Sequence, residues 1–158
     1  MSKKNVLFIA STGGHLEELL QLSPMFEKYN YRLITEKTKS NMYLKDKYKD
    51  KVSYLVYGTK HHMLTYPFKL LFNCFKSLYY YLTFAPDYII TTGVHTAGPM
   101  CCIGKIFGSK VIYIETFANM VTKTATGKLI YPISDKFIVQ WESMKKLYPD
   151  SEVGGWIF

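Results

Sequence analysis

The fold is decided by residues 5–22, which read NVLFIASTGGHLEELLQL. The first six, Asn5–Ala10, form the kind of short apolar run that becomes a buried strand. A Ser-Thr-Gly-Gly turn ends this run, and leucines at helical spacing then continue to Pro24 or slightly beyond. A buried strand, a glycine turn and a helix in this order are typical of a parallel sheet with covering helices.

The rest of the chain repeats this alternation of short β-rich runs and longer helical stretches. It predicts the doubly wound α/β class, a mostly parallel, Rossmann-like sheet with helices on both faces. No repeat, low-complexity tract or linker divides the 158 residues, so we expect one domain over residues 1–158. The further predicted strands are Tyr31–Thr35, Val52–Tyr57, Tyr88–Thr92, Val111–Glu115 and Lys136–Gln140, and the further helices are Tyr66–Phe84, His95–Phe107 and Thr122–Tyr131.

Three loops follow strands of this predicted sheet at the same edge. They are Ser11–His15, Thr92–Gly98 and Glu115–Asn119. In open α/β sheets, ligands bind in the crevice beyond the carboxyl ends of the strands. We therefore expect the three loops to lie together around a ligand.

Composition and cysteine usage indicate the compartment. Hydrophobic residues make up 48% of the chain and charged residues 20%, which indicates a globular protein rather than a disordered one. The three cysteines, Cys74, Cys101 and Cys102, contain no C-x-x-C pair, and adjacent cysteines do not form an unstrained disulfide. A reducing cytoplasm fits them best. Val6–Ala10 is too short for the core of a signal peptide, so we expect no export.

The chain is basic, with a formal net charge of +8. Much of this charge lies between Lys37 and Lys60, where lysines outnumber acidic residues. One interpretation is an ordinary solvated surface, and the other is attraction to anionic lipid headgroups or to a phosphorylated substrate. No helix-turn-helix, RNP or zinc-finger pattern accompanies the charge, so we expect no nucleic acid partner.

The first glycine loop has the form of a phosphate cradle. Glycines let backbone N–H groups approach an anion, and a helix N-terminus adds a favourable dipole. The loop is not a dinucleotide fingerprint, because His15 and Glu18 occupy the third and sixth positions counted from Gly13, and no Walker lysine follows. A plain tight turn stays open, as does a nucleotide site that uses Glu36 on the ribose. The residues proposed here for the anion are Ser11, Thr12, Gly13 and Gly14.

The other two loops and the first histidine extend this site. His15, in the first turn of a helix, can donate to a phosphate or accept a proton, although a structural histidine is the alternative. Gly93, His95 and Thr96 repeat the glycine-loop pattern, and two such loops suggest a ligand with more than one phosphate. Glu115 can accept hydrogen bonds from sugar hydroxyls or orient a histidine, or it is a capping or surface acid.

No metal site or covalent nucleophile is expected. His61-His62 has no third ligand at a suitable spacing, and no serine has a G-x-S-x-G context. The sequence therefore predicts no cofactor.

The segment Tyr66–Phe84 is the richest apolar stretch of the chain. Its helical spacing places Lys69, Asn73, Lys76, Ser77 and Tyr80 on one polar stripe, and we expect Leu70, Leu71, Cys74, Leu78 and Leu82 to cover the sheet. Phe72, Phe75 and Tyr79 form a further face that the core need not use. Lysines in so short a stretch argue against a spanning helix. Deep burial is one alternative; an in-plane membrane helix, with Lys69 and Lys76 at anionic headgroups, is the one we favour.

The loops together resemble those of a known enzyme class. Gly13-Gly14-His15, Thr92-Gly93, Ala97-Gly98-Pro99 and Ile114-Glu115 occur in the order found in GT-B glycosyltransferases that act on lipid-linked acceptors, such as the peptidoglycan lipid-intermediate GlcNAc transferase. The similarity continues through 126–129 and 134–141, but that enzyme's pattern favours asparagine at Phe117 and Gly127. Over nearly its whole length the chain resembles the membrane-anchor subunit of the eukaryotic two-subunit GlcNAc transferase, and similar proteins of bacterial capsule and exopolysaccharide synthesis.

This resemblance implies a division of labour between two subunits. The chain would be the acceptor-binding half of an inverting glycosyltransferase, peripheral on the cytoplasmic face of the plasma membrane, and a partner subunit would bind the UDP-sugar. Both glycine loops would hold the diphosphate of a lipid-linked sugar, with His15 as general base and Glu115 assisting. The predicted transfer is of galactose, β-1,4-linked, in capsule or exopolysaccharide synthesis, with glucuronic acid and GlcNAc as the alternative donor sugars.

The apolar C-terminal tail is costly to expose, which favours contact with that partner. The expected interface residues are Trp156, Ile157 and Phe158. Two alternatives stay open: a non-catalytic membrane adaptor that only enhances the partner, and a nucleotide-binding oxidoreductase.

Overall fold

The computed structural model describes residues 3–58 and 66–157, and these contain a seven-stranded sheet in the order β3-β2-β1-β4-β5-β6-β7. Each pairing of neighbouring strands is parallel. The predicted doubly wound α/β fold is confirmed. The strands are β1 Asn5–Ala10, β2 Asn30–Glu36, β3 Val52–Leu55, β4 Tyr88–Gly93, β5 Lys110–Ile114, β6 Lys136–Val139 and β7 Glu152–Val153.

The helices lie between these strands. Two predicted boundaries differ for local reasons: Pro24 sits in the first turn of a new helix, and the hydroxyl of Thr124 accepts a hydrogen bond from Gly127 N at 2.9 Å and caps α6. The helices are α1 Gly14–Leu20, α2 Ser23–Phe26, α3 Leu44–Tyr48, α4 Tyr66–Phe84, α5 Ala97–Ile106, α6 Ala125–Ile130 and α7 Glu142–Lys145, with 3₁₀ turns at Lys39–Asn41, Lys49–Lys51 and Tyr131–Ile133.

The continuous apolar run of β1 is explained by burial on both faces. Leu7 and Ile9 pack into one core cluster, which also contains Met100 of α5. The alternate residues Val6 and Phe8 pack into a second cluster on the opposite face, where α1 and α2 lie. Since both faces of β1 are covered, every position from Val6 to Ala10 is apolar.

The site is positioned by the order of the strands. The chain moves outward from β1 to β2 and β3, and then returns to β4 on the other side of β1. The loops after β1 and β4 therefore flank the point where the order reverses, which is where such sheets open a ligand crevice. These are the two glycine loops.

Helix α4 covers the sheet with its polar stripe, and the expectation that Leu71 and Leu82 cover it is wrong. Both leucines are exposed, whereas Asn73 and Ser77 are buried. The amide of Asn73 accepts from Val56 N at 2.9 Å and donates to Val56 O at 2.8 Å. Because β3 is an edge strand, backbone groups at its end need partners, and this asparagine supplies them.

The outer face of α4 is apolar and exposed. The predicted exposure of Phe72, Phe75 and Tyr79 is confirmed, while their contact with a membrane stays a prediction. Within the two described ranges, no helix combines the length and the hydropathy that crossing a bilayer requires. We call the following residues the α4 stripe: Phe68, Leu71, Phe72, Phe75, Tyr79 and Leu82.

Candidate functional site

The three loops lie together, as expected from the strand order. His15 and Thr92 join the first two through a pair of hydrogen bonds, His15 Nδ1 to Thr92 O at 2.7 Å and Thr92 Oγ1 to His15 O at 2.6 Å. Ser11 N donates to Gly93 O at 3.0 Å. The helix that carries His15 is thus tied directly to the end of β4.

The hydrogen bond to Thr92 determines the tautomer of His15. A backbone carbonyl only accepts, so Nδ1 carries the proton. In the neutral ring, Nε2 then keeps its lone pair, which is the form that a general base requires. The side chain is 23% exposed, so it is held by the fold and still reachable from solvent.

Sequence reasoning missed Glu18, which links α1 to the third loop. Its Oε1 accepts from Thr116 Oγ1 at 2.8 Å and from Phe117 N at 2.9 Å. Its Oε2 lies 4.0 Å from His15 Nδ1. The available signal was its position three residues after His15, on the same helix face, whereas the neighbouring Glu17 is exposed.

The first glycine loop presents bare backbone. Gly13 has φ +86°, a conformation that glycine adopts without strain, and it precedes α1 as its N-cap. A Cβ placed on Gly13 or Gly14 meets no atom within 4 Å. Leu16 N already donates to Gly13 O at 2.9 Å, so the N–H groups that the start of the helix leaves open are those of Gly14 and His15. A small anion therefore has access to this turn.

The buried carboxylate of Glu36 holds the second glycine loop in place. The hydroxyl of Thr96 donates to Glu36 Oε1 at 2.7 Å, and His95 Nε2 lies 3.8 Å from the same oxygen. Thr12 N is 3.4 Å from Glu36 Oε2. Thr96 is buried, so its hydroxyl supports the loop instead of reaching a ligand. Since this carboxylate is buried and already hydrogen-bonded, it is not free to hold a ribose, which argues against the oxidoreductase alternative.

Glu115 is an interior residue, only 1% exposed. The Thr124 hydroxyl lies 3.0 Å from both of its carboxylate oxygens, and the Tyr148 hydroxyl donates to Oε2 at 2.9 Å. Burial is the main reason that the pKa of this carboxyl is raised, since the hydrogen bonds it accepts act in the opposite direction. These contacts make Glu115 a brace between β5 and α6, and its assistance to His15 stays a prediction.

We expect Gly127→Ala to destabilise the fold by about 1–3 kcal/mol, because it overpacks this cluster. The new Cβ would lie 2.3 Å from Glu115 Oε2 and 2.4 Å from the Tyr148 hydroxyl, which hold each other in place. Urea denaturation at neutral pH measures the change.

Gly98→Ala is the matched control, since its Cβ would make only an ordinary 3.6 Å contact with Leu129. There the better helix propensity of alanine should leave stability unchanged or raise it by up to about 1 kcal/mol. Equal stabilities for the two variants would contradict a rigid Glu115 cluster.

The C-terminal tail lies against the third loop. The Trp156 ring centre is 5.7 Å from that of Phe117 and 5.3 Å from that of Trp141. Ile157 N donates to Gln140 Oε1 at 3.0 Å. Trp156 is still 65% exposed, so the tail docks on its own domain and leaves a large ring beside the crevice. Phe158 is outside the described residues, and the partner contact of this tail stays a prediction.

A basic cavity of about 430 Å³ lies beside α4. Lys37, Lys69 and Lys76 line it, together with the end of β3. Burial, and then the charge of Lys37, lower the pKa of Lys76, as expected when cations share a confined space. Among the described residues, no group of three or more His, Cys, Asp or Glu side chains could hold a metal ion, and His61-His62 lies outside them.

The chain is similar to known proteins over most of its length. The model of the family described as "Oligosaccharide biosynthesis protein Alg14 like" matches residues 6–157. The chain is 27% identical to the mouse UDP-N-acetylglucosamine transferase subunit ALG14 over 172 aligned residues, covering 92% of this chain and 79% of that protein. The human subunit is 36% identical over 72 residues, which cover 42% of this chain and only about a third, 33%, of the human protein.

A solved structure shares the fold. The crystal structure of MurG from Acinetobacter baumannii superposes with a TM-score of 0.71 at 19% identity. The superposition covers 89% of this chain and 42% of MurG. This chain therefore matches about two fifths of that longer protein.

Proposed function

The chain belongs to the Alg14-like family of oligosaccharide biosynthesis proteins, and we propose that it is the membrane-associated subunit of a two-component glycosyltransferase. In this role it recruits a partner subunit that binds the nucleotide sugar and holds the lipid-linked acceptor beside it. The observation that carries the proposal is the family match over residues 6–157. The printed name of its relatives, a transferase "subunit", supports a partner.

The same names support UDP-N-acetylglucosamine as the sugar donor. Galactose transfer in capsule or exopolysaccharide synthesis stays a prediction from the sequence, and the comparisons give it no support. The donor would be bound by the partner, so the residues of this chain bear on the acceptor.

The acceptor site of the proposal is the crevice between the two glycine loops. The open backbone at Gly13 and Gly14, and the second loop next to it, suit the diphosphate of a lipid-linked sugar. His15 lies between these loops through its bonds with Thr92. Thr12 and Thr96 fix the loops through Glu36.

Membrane association would come from α4. Its exposed apolar stripe can enter the headgroup region. Two lysines of the basic cavity, Lys69 and Lys76, lie on the flank of the same helix, where anionic lipids would meet them. We place this contact on the cytoplasmic face of the plasma membrane.

A second candidate role is chemical. Since Nε2 of His15 keeps its lone pair, this residue is suited to remove the proton of the acceptor hydroxyl in an inverting transfer, which requires one base and no covalent intermediate. The comparisons favour recruitment, and the two roles are separated by the His15 variant treated in the Discussion.

Recruitment is tested with Trp156→Ala. An exposed tryptophan that anchors an interface contributes about 2 kcal/mol or more, so the Kd for the partner should weaken at least about thirtyfold. The two subunits are co-expressed, purified and titrated by fluorescence or calorimetry. Ile106→Ala, at an exposed residue of α5, is the control and should bind normally. An unchanged Kd for Trp156→Ala would reject this tail as the interface.

A further inference from the structure

An apolar cavity of about 380 Å³ lies between α4, α5 and α6. This volume is within the range of about 300–1,000 Å³ that small-molecule pockets have. Its walls are formed by side chains of all three helices, including Leu70, Cys74, Pro99, Cys102 and Leu129. It is separate from the basic cavity, which shares none of these residues.

One end of this cavity lies at the second glycine loop. His95 lies there, with Gly98 at the N-terminal end of the ten-residue helix α5, where the helix dipole favours an anion. Nε2 of His95 is buried and lies 3.8 Å from Glu36 Oε1, beyond hydrogen-bond distance. Through Glu36, whose other oxygen faces Thr12 N, this end adjoins the first glycine loop. The cavity therefore begins where the candidate diphosphate site ends.

The other side of the cavity borders the surface proposed to meet the membrane. At about 100° per residue, Leu70 and Cys74 lie on one line of α4, and the α4 stripe begins roughly 60° further round at Leu71. A chain that leaves the cavity past these residues therefore passes onto the apolar stripe.

We propose that this cavity holds the hydrocarbon segment next to the diphosphate of the acceptor lipid. The inference rests on the proposed function, and it adds a site for the lipid itself. The cavity has the arrangement that such a ligand needs: the glycine loops proposed for the diphosphate at one end, an apolar middle, and an exit beside the membrane surface. A free diphosphate would gain nothing from the apolar walls, and a simple hydrocarbon would gain nothing from the neighbouring glycine loops.

The chain contains its own reporters of occupancy. Cys74 and Cys102 line the cavity. Cys101 is fully buried, and burial raises the pKa of its thiol strongly, so it should react far more slowly. Labelling of the full chain with N-ethylmaleimide, followed by peptide mass spectrometry, reads each cysteine separately.

The probe is farnesyl diphosphate, a soluble lipid diphosphate. At about ten times its Kd it leaves about one site in eleven empty, so alkylation of Cys74 and Cys102 should slow about elevenfold. Inorganic pyrophosphate and farnesol, at the same concentration, should protect much less. Equal protection by oleate, a fatty acid without a diphosphate, would overturn the proposal in favour of an ordinary acyl-chain site, and so would no protection by farnesyl diphosphate.

A filled cavity provides the second test. Leu129→Trp places a larger side chain in the wall, and it should remove the protection and raise the acceptor KM of the two-subunit enzyme at least about tenfold. Ile106→Trp, at another exposed apolar position that does not line the cavity, should change neither. Normal acceptor KM in Leu129→Trp, with transfer intact, would overturn the cavity and leave the proposed function standing. Protection by farnesyl diphosphate in a chain that supports no transfer would support the cavity and reject the proposed function.

Discussion

Replacing Phe72, Phe75 and Tyr79 together with serine should lower the affinity of the chain for anionic vesicles about a thousandfold. Each ring is more than half exposed in the structure, so its removal costs the folded domain little. A ring that is partly buried in the headgroup region contributes about 1.4 kcal/mol, which is below the roughly 1.5–3 kcal/mol of a fully buried side chain and equals a factor of about ten. The factors of the three rings multiply, which gives the thousandfold loss. Vesicle sedimentation at several lipid concentrations measures the partition.

The control introduces the same kind of substitution, apolar to serine, at exposed residues outside α4. Ile106, Val121 and Tyr43 are also exposed, and none is on α4. Their triple serine variant should bind vesicles normally. Equal losses in both triple variants would mean that general surface hydrophobicity, and not the α4 stripe, drives binding.

The lysines of the basic cavity should make vesicle binding depend on the charge of the lipid. Lys37, Lys69 and Lys76 should each contribute about 1 kcal/mol near an anionic surface. Binding of the unchanged chain should therefore weaken with added salt and on neutral vesicles. The serine variant of Phe72, Phe75 and Tyr79 should instead lose the apolar contribution to binding, which does not depend on salt. Vesicle binding with no dependence on lipid charge would contradict a role for these lysines.

The sheet was predictable because burial on both faces leaves a simple record in the sequence. Each of the six longer strands is a short apolar or β-rich run between turn residues, and all six were found close to their observed bounds. β7 has only two residues, Glu152 and Val153, and so short a strand leaves no periodic pattern. It is determined by pairing with β6, which is a tertiary contact.

Helix α4 shows what the spacing of apolar residues cannot predict. Spacing separated a polar stripe from apolar faces, but it does not say which side meets the domain. The usual expectation, apolar inward, was wrong because Asn73 binds the backbone at the end of the edge strand and so turns the polar stripe inward. The aromatic face was left outside as a consequence.

The loops of the site were predictable from the sequence, but the buried carboxylates that hold these loops in place were not. Glycines and histidines after strands are visible in sequence, and the topology brings them together. The carboxylates that fix these loops come from elsewhere: Glu36 from the end of β2, and Glu18 from the second turn of α1. Their roles depend on which N–H and hydroxyl groups they meet, which only the fold decides. For the same reason Glu115, expected at the crevice, is enclosed by Thr124 and Tyr148.

His15→Ala is the variant that separates recruitment from chemistry. If His15 takes the proton from the acceptor hydroxyl, the variant should lower kcat at least about a hundredfold with the partner present, since general base catalysis contributes about 10²–10⁴ in rate. Binding of the partner and of vesicles should be unchanged, because the ring contacts Thr92 and lies far along the chain from the α4 stripe. Purified two-subunit enzyme, assayed with saturating acceptor, gives kcat directly.

His95→Ala is the matched comparison, since this second loop histidine touches Glu36 and is assigned to acceptor binding. It should raise the acceptor KM and leave kcat nearly unchanged, which is the signature of lost binding in ground and transition state alike. A lower kcat with a nearly unchanged acceptor KM in His15→Ala would place that ring at the reacting hydroxyl.

A purely structural role for His15 makes a different prediction. Loss of the Thr92 contact would lower stability and activity together, whereas loss of a base should remove the acid limb of the pH–rate profile and allow partial rescue by added imidazole. Wild-type kcat in His15→Ala would exclude the base and leave this subunit as the part that anchors the complex and recruits the partner. Rescue by imidazole would instead assign the general base to this chain, with the sugar donor held by the proposed partner.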